Sequence, residues 1–323
     1  MREIRGKSLL YIQFVIIVCF YIFAEKSIGN KSNYDLMIQG RDKMVEISKV
    51  VIEEKSKLGI YMDKKLDINN SGLIGEEFTG ITTTLGDLDS KRASTNPDYA
   101  AFFIKYFKGL GLKKGDVVGI NMSSSFPALN LSVIVALDLM ELKGVIINSI
   151  GSSMYGANNE KLTFLELQNI LKQKGEIKNS VIAYSYGGDS DAGANFDEEV
   201  SLNIKERLKK LDLDLISEGD LEKNLRRRIE IYEKNGEIKC FVNVGGNLVH
   251  KKLEQYFTGK EIPVLSMLNI KQISLKYGIS IEKGSEESRL YYGMNKKLYL
   301  LIVSFFILFN LYIWNKKSKC KIS

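Results

Sequence analysis

Four short apolar runs, each followed by a cluster of glycine, serine and amide residues, restrict the possible folds of this chain most strongly. The runs cover residues 116–122, 144–150, 180–186 and 239–244. Their length and boundaries predict β-strands, and helical patterns lie between them, the clearest from Pro127 to about Leu142. Strands that alternate with helices predict a mainly parallel sheet with helices on both faces and right-handed crossovers. The predicted fold is therefore α/β and Rossmann-like.

Capping residues predict where two of these helices begin. Thr163 is followed three residues later by Glu166, which is the pattern of a capping box, and Asn195 is followed in the same way by Glu198. Residues 33–58 carry apolar side chains at helical spacing with charges between them. This pattern predicts an amphipathic helix before the α/β region.

Two uncharged apolar stretches, Ser8 to Ala24 and Leu298 to Trp314, stand near the ends of the chain. Both are predicted to be transmembrane helices, since a bilayer is crossed by about 17–25 apolar residues. Basic residues on their outer flanks place both chain ends in the cytoplasm. Two alternatives stay open. The first stretch could instead be a cleaved signal peptide, although Ile22 stands three places before the cut, where such peptides have a small residue. The second stretch could instead be a buried core helix.

These patterns divide the chain into five predicted parts. Residues 1–24 form a cytoplasmic tip and the first anchor. Residues 25–90 form the amphipathic helix near the membrane and an ordered loop rich in glycine and threonine, which extends over about residues 69–95. Residues 91–297 form an extracytoplasmic α/β domain. Residues 298–314 form the second transmembrane helix, and residues 315–323 a basic cytoplasmic tail.

The charge distribution argues against nucleic acid as a partner. The formal net charge is +7, of which residues 1–24 contribute +2 and residues 315–323 contribute +4, so that only +1 belongs to everything between. A nucleic-acid-binding domain needs clustered basic residues on its own surface. The one dense basic run, Arg226 to Arg228, lies among glutamates and is interpreted as a solvated helix face.

The cysteine and histidine content predicts neither a metal site nor a disulfide. The chain has three cysteines and one histidine. Cys19 lies in the first apolar stretch and Cys320 in the basic tail, which leaves Cys240 alone in the domain. No zinc-ligand pattern can be assembled from these residues, and no cofactor is expected.

The loops that follow the four strands predict a shared binding pocket. In a parallel sheet the carboxyl ends of the strands lie at one edge, where ligands bind. The sequences of these loops are SSSFPALN, GSSMYGANN, GGDSDAGAN and GGN. The alternative is that small and amide residues simply favour turns. The candidate ligand-binding residues are Ser123, Ser124, Ser125, Asn130, Ser152, Ser153, Asn158 and Asn247.

Three roles remain open for these serines: nucleophile, anion-binding group at a helix start, or helix cap. The candidate catalytic residues are Ser124, Ser125, Ser152 and His250, but no G-x-S-x-G elbow accompanies them. The chain also lacks a G-x-x-x-x-G-K-[ST] phosphate loop. Free backbone amides and hydroxyls at the start of a helix suit a carboxylate or phosphate oxygen.

Four segments of the chain resemble the bacterial poly-gamma-glutamate system protein family. They are GLIGEEFTGITTTLGDLDSKRASTNPDYAA (Gly72 to Ala101), GDVVGINMSSSFPALN (Gly115 to Asn130), INSIGSSMYGAN (Ile147 to Asn158) and VNVGGN (Val242 to Asn247). The resemblance extends roughly from Gly72 to Leu253. It implies a membrane-anchored accessory of poly-gamma-glutamate capsule synthesis or export, and it assigns no catalytic residue.

Two functional hypotheses follow from these observations. In the first, a non-catalytic accessory in the cell (inner) membrane uses its extracytoplasmic domain to hold the polymer or a partner protein of the synthase and exporter. The strand-end pocket, or the segment with Thr82, Thr83, Thr84, Lys91 and Arg92, would hold a glutamyl carboxylate. In the second, the domain is a hydrolase or transferase of the polymer with a serine nucleophile. The oligomeric state does not follow from the sequence.

Overall fold

The computed structural model describes residues 13–20, 31–188, 191–193, 196–282, 288–291 and 296–319. The chain falls into two compact units. The larger unit consists of Leu36–Ser288, and the smaller unit consists of Met1–Asp35 together with Arg289–Ser323.

Six of the described strands form one parallel, Rossmann-like sheet in the order β6-β5-β3-β2-β7-β8. The order reverses between β2 and β7, so the carboxyl ends of these two strands mark the crevice where open α/β sheets bind ligands. The predicted α/β class with a parallel sheet is confirmed, and the four predicted strands are β2, β3, β5 and β7. The strands are β1 (Thr82–Thr84), β2 (Val117–Ser123), β3 (Lys143–Ser149), β4 (Ser152–Ser153), β5 (Ala183–Ser185), β6 (Asp214–Leu215), β7 (Ile238–Val244) and β8 (Val264–Met267).

A second, two-stranded parallel sheet joins β1 to β4, with Thr82 paired to Ser152 and Thr84 to Ser153. β1 belongs to residues 72–86, which we call the front segment. The segment predicted to be an ordered loop therefore contains a strand that was not predicted. A strand of three residues is too short to show the period-two pattern from which strands are predicted.

Helices occupy much of the remaining chain. They are α1 (Lys31–Lys57), α2 (Leu88–Ser94), α3 (Asp98–Gly109), α4 (Pro127–Leu139), α5 (Phe164–Gln173), α6 (Glu198–Leu208), α7 (Leu221–Lys234), α8 (Leu248–Gly259), α9 (Ile270–Tyr277) and α10 (Lys296–Lys319). Residues 13–20 are helical as well. The amphipathic helix predicted over residues 33–58 corresponds to α1, whereas α2 lies in the segment predicted to be a loop.

The helices cover both faces of the large sheet, as predicted. On one face, Ile147 of β3 packs in a core cluster with Tyr232 of α7 and Phe257 of α8. Side chains alternate between the two faces along a strand, so Ile146 points the other way. On that opposite face Ile146 lies beside Leu137 of α4. Each layer of helices therefore buries its own side of the strands.

One of the two predicted helix starts is confirmed. The backbone N–H of Thr163 donates to Glu166 Oε2 at 2.9 Å, and the backbone N–H of Glu166 donates to Thr163 Oγ1 at 3.4 Å, which completes the capping box. α6 begins at Glu198, and Asp197 is its N-cap. The prediction of Asn195 as the cap was wrong because the cap is the residue directly before the helix; Asn195 itself lies outside the described residues.

The interpretation of the basic run as a solvated helix face was wrong for Arg228, which is 0% exposed, whereas the side chain of Arg227 is 42% exposed. The reason is helical periodicity. Residues three and four apart share one face of a helix. Arg228 therefore lies on the same side of α7 as the buried Ile231 and Tyr232, which pack against the sheet.

In the smaller unit, α10 includes all of the predicted C-terminal span, Leu298 to Trp314. Of the first apolar stretch, only residues 13–20 are among those described. None of the helices within the described ranges is both long enough and apolar enough to cross a membrane.

Candidate functional site at the carboxyl edge of the sheet

The loops that follow β2, β3 and β5 are joined to one another by backbone hydrogen bonds. Ser124 N–H donates to the Ser149 carbonyl at 2.9 Å, and Ala157 N–H donates to the Ser124 carbonyl at 2.8 Å. Gly151 N–H donates to the Tyr186 carbonyl at 2.8 Å. The parallel topology thus brings these three predicted loops together at one edge.

The loop after β7 reaches the same edge beside Ser123. Gly245 has a φ of +101°, which a residue with a Cβ rarely adopts. A Cβ atom at this position would lie only 2.3 Å from Ser123 Oγ. Ser123 Oγ itself lies 3.5 Å from the Val244 carbonyl oxygen. All four strand-end loops therefore converge, and glycine is needed where β7 meets β2.

Two of the candidate catalytic serines hold these loops in place. Ser124 is fully buried, and its hydroxyl donates to the Ser149 carbonyl at 2.9 Å. Ser152 is also fully buried, and its hydroxyl lies within hydrogen-bond distance of the carbonyls of Ser124 (3.2 Å) and Ser153 (2.9 Å). Asn130 Nδ2 donates to the Ser123 carbonyl at 2.8 Å. These side chains thus join the loops through hydrogen bonds to backbone carbonyls, several of which also accept from a backbone N–H.

His250 is buried and forms part of a helix start. Asn247 is the N-cap of α8, and its Oδ1 accepts from the backbone N–H of His250 at 3.0 Å. Burial, with a further contribution from Arg228, lowers the pKa of His250 to about 3, so the ring is neutral near pH 7. The neutral ring has one N–H, although Nδ1 lies 2.6 Å from Asn247 Oδ1 and Nε2 lies 3.2 Å from the Val244 carbonyl oxygen. Only one of these two contacts is therefore a hydrogen bond.

Asn158 and the three threonines of β1 fasten the front segment to the edge of the sheet. Asn158 Oδ1 accepts from Glu76 N–H at 3.0 Å, while its Nδ2 donates to the Glu76 carbonyl at 2.8 Å and lies 3.0 Å from Thr82 Oγ1. Thr83 Oγ1 donates to the Ser152 carbonyl at 3.2 Å. Thr84 follows in the same strand, where its carbonyl accepts from Met154 N–H. These predicted ligand-binding residues are thus engaged with the chain itself.

Lys91 is the basic residue that the structure places among the serines. Its side chain is buried, and its Nζ donates to Ser153 Oγ at 2.7 Å and to the Ser125 carbonyl. The ammonium group also lies 3.9 Å from the centre of the Phe126 ring. Burial lowers the pKa of Lys91 to about 7, and the opposing effect of Asp87 is smaller. Lys91 is therefore close to half-protonated at neutral pH.

Arg92, which was predicted to act in the same segment as Lys91, lies in a different environment, whereas Ser125 of the predicted strand-end pocket lies beside Lys91. Arg92 donates from Nε to the Leu66 carbonyl at 3.0 Å and from Nη2 to the Lys65 carbonyl at 2.8 Å. The guanidinium group thus supports the chain before the front segment. Ser125 Oγ accepts from Ser153 N–H at 3.0 Å, which places both serines beside Lys91.

A buried polar cluster centred on Arg228 was not predicted from the sequence. Arg228 Nη2 forms an ion pair with Asp191 Oδ2 at 2.8 Å and donates to Ser185 Oγ at 2.6 Å. Its Nη1 donates to Asn121 Oδ1 at 2.8 Å, and its Nη2 also contacts Ser149 Oγ at 3.1 Å. The cluster therefore connects α7 with β2, β3, β5 and the loop after β5.

The cluster extends across the sheet as a row of amides. Asn121 Nδ2 donates to Asn243 Oδ1 at 3.0 Å, and Asn243 Nδ2 donates to Glu254 Oε1 at 2.7 Å. Asn121 and Asn243 are paired residues of the neighbouring strands β2 and β7. The signal in the sequence was the presence of one asparagine inside each of two otherwise apolar strands, but the pairing register is needed to bring them together.

The comparisons with known proteins add no relative. No protein-family model matches the chain, and no curated protein matches it either. Within the described residues no group of three or more histidine, cysteine or acidic side chains is arranged to hold a metal ion. The resemblance to the poly-gamma-glutamate system family therefore stays a prediction.

Proposed function

We propose that this chain is a membrane-anchored, non-catalytic accessory of poly-gamma-glutamate synthesis or export. In this proposal the α/β unit lies on the outer side of the cell membrane and holds the anionic polymer or a partner subunit. The resemblance of the four segments between Gly72 and Asn247 supports the link to the polymer. The two uncharged terminal stretches with basic outer flanks support anchoring and orientation.

One structural observation favours a binding role over catalysis. The strand-end hydroxyls that would be nucleophiles, Ser124 and Ser152, are buried and donate to backbone carbonyls. His250 is likewise buried at the start of α8, and no hydrogen bond between its ring and a serine is found in the described chain. A serine without an adjacent base is a weak nucleophile. The hydroxyls at this edge therefore hold the loops in fixed positions, as is suitable for binding a polymer or a partner protein.

Binding of labelled polymer to spheroplasts that produce the full chain tests this proposal. We expect such spheroplasts to bind more poly-gamma-glutamate than spheroplasts without the chain, and more of it than of α-linked polyglutamate, which has the same charge per residue. Binding should weaken as salt is added, because carboxylates are screened. External protease should abolish it. Absence of extra binding at low salt contradicts the binding role, and binding that needs lysed cells contradicts the orientation.

The contact between Lys91 and Ser153 favours a second candidate, a serine hydrolase or transferase. A neutral Lys91 amine, hydrogen-bonded to the hydroxyl at 2.7 Å, could take the proton of Ser153 Oγ as the oxygen attacks a γ-glutamyl carbonyl. The C–N bond would then break, the leaving amine would receive that proton, and water or another amine would release the acyl group from the serine ester.

Polymer length after incubation with the purified full chain tests this second candidate. The hydrolase predicts shortening that is lost in Ser153→Ala, while Ser56→Ala, at an exposed position near the end of α1, retains it. Polymer that keeps its length, or that is shortened equally by Ser153→Ala, eliminates Ser153 as a nucleophile.

A further inference from the structure

A cavity of about 330 Å³ opens in the larger unit, next to the loop that follows β3. It is lined by α1, by the chain that follows α1, by the start of the front segment and by Asn159 at the end of that loop. Ligand pockets start at about 300 Å³, so this cavity is at the small end of the range and suits a molecule of the size of an amino acid or a dipeptide.

Lys55 lines this cavity without a partner of its own. Its side chain is buried, with 8% of the residue exposed, and no hydrogen bond or ion pair of its ammonium group is found within the part of the chain that the structure describes. Burial lowers the pKa of Lys55 to about 8, and Asp67 and Glu76 oppose this effect. Asp67 is already engaged, since Oδ2 accepts from Ser71 and Gly72 N–H groups. A mostly charged ammonium group therefore faces the cavity unpaired.

The same cavity is lined by three carboxylates, those of Asp63, Glu76 and Glu77. Within the described residues none of the three forms an ion pair with a lysine or arginine at 4.0 Å or less. Glu76 Oε1 accepts from Asn159 Nδ2 at 2.8 Å, and Asp63 Oδ1 accepts from a backbone N–H at 2.8 Å. Two of the three acidic side chains are thus oriented by neutral donors rather than by a cation.

The arrangement of charges selects among ligand classes. A simple anion could pair with the lysine but would be repelled by the three carboxylates, and a simple cation would be repelled by the lysine. A molecule with one group of each sign pairs with both sides at once. The main gain is at Lys55, because a buried charge is stable only when it is paired. The exposed rings of Tyr61 and Phe78, 83% and 62% exposed, stand at the lining and offer apolar contact to the rest of the molecule.

We propose that this cavity binds a small zwitterion through its α-carboxylate on Lys55 and its α-ammonium group on the three carboxylates. The ligand is either a free α-amino acid or the amino-terminal glutamyl residue of a γ-linked peptide, because only a side-chain linkage leaves both the α-carboxylate and the α-ammonium group free. The inference does not depend on the proposed function, since it follows from the lining of the cavity alone.

Titration calorimetry on the full-length chain in detergent tests the zwitterion site. The probes are L- and D-glutamate, L- and D-alanine, γ-glutamylglutamate, and glutarate, which is glutamate without its amino group. We expect at least one zwitterion to bind and glutarate to bind about tenfold more weakly or not at all, because a charge-assisted hydrogen bond is lost. If the dipeptide binds more tightly than the free amino acids, the natural ligand is the end of a peptide. If a free amino acid binds more tightly, the natural ligand is a free amino acid.

Lys55→Met should weaken the binding by about tenfold or more, because it removes the cation and keeps the length of the side chain. Lys57→Met on the same helix is the matched control, since the side chain of Lys57 is 54% exposed and pairs with Glu53. Glu77→Gln, at an exposed position, should also weaken binding without affecting folding. The proposal is overturned if no zwitterion binds, if glutarate binds as tightly as glutamate, or if Lys55→Met binds like the unaltered chain.

Discussion

Replacing Arg228 with methionine is expected to lower the free energy of unfolding by about 3–5 kcal/mol, because it leaves the Asp191 carboxylate buried without its cation. Both side chains of this ion pair are 0% exposed. The loss also removes the donors to Asn121 and Ser185. Water cannot compensate at a site inside the sheet layer, so the full cost of an unpaired buried charge should appear.

Urea unfolding followed by circular dichroism measures this loss. The matched control is Arg227→Met, the preceding residue of α7, whose side chain is 42% exposed and whose contacts are with Asp214 and Glu230. That variant should change the free energy of unfolding by less than about 1 kcal/mol, as exposed ion pairs contribute little. Equal effects of the two substitutions would contradict the buried position of Arg228.

The double variant Arg228→Met with Asp191→Leu gives a further check of the same ion pair. Removing both charges should restore part of the stability lost in Arg228→Met, since replacing both members of a buried pair by apolar groups is less costly than removing one. A double variant that is less stable than the sum of the single effects would show that the cluster depends on the carboxylate for some other contact.

The second large effect concerns pH and Lys91. In the folded chain burial lowers the pKa of Lys91 to about 7, whereas in the unfolded chain the pKa returns to its ordinary value of 10.5. Between these values the unfolded state binds more protons, so stability rises with pH. From about pH 7 to about pH 9 this one residue should add about 2 kcal/mol to the free energy of unfolding.

The measurement is the free energy of unfolding of the natural chain minus that of Lys91→Met, taken at both pH values. The subtraction removes the contributions of other buried groups, such as Lys55, whose pKa of about 8 acts in the same direction, and Cys240, whose raised pKa acts in the opposite direction above pH 9. Lys108→Met, at an exposed position of α3, should keep the pH dependence of the natural chain. A difference that is constant with pH would mean that Lys91 stays charged when the chain folds.

The large sheet could be predicted because its central strands are long and apolar. β2, β3 and β7 each have seven residues, and β5 was found from a longer apolar run around it. β1, β4 and β6 have two or three residues, which is too short for a recognisable strand pattern, and the threonines of β1 and the serines of β4 are equally typical of loops. Their place in the fold is decided by tertiary pairing, which local sequence does not contain.

The candidate site was predicted in its location and not in its contacts. The convergence of the loops follows from parallel topology alone, so Ser123 to Ser125 and Ser152 could be placed at one edge in advance. Whether a polar side chain is buried depends on segments distant in sequence. Lys91 meets Ser153 across 62 positions and Arg228 meets Asn121 across 107. Helical spacing from Ile231 and Tyr232 indicates which face of α7 carries Arg228, but no local pattern identifies the partners of either residue.

The front segment, paired through β1 to β4 and fastened by Asn158, covers the loop that follows β3 at the carboxyl edge of the sheet. The front segment therefore competes with any outside molecule that would bind there. A molecule that binds this loop in place of the front segment would need the front segment to detach, and its apparent affinity would be reduced to the fraction of molecules in which that has happened. A partner that detached the front segment would remove this penalty and so switch the edge from closed to receptive.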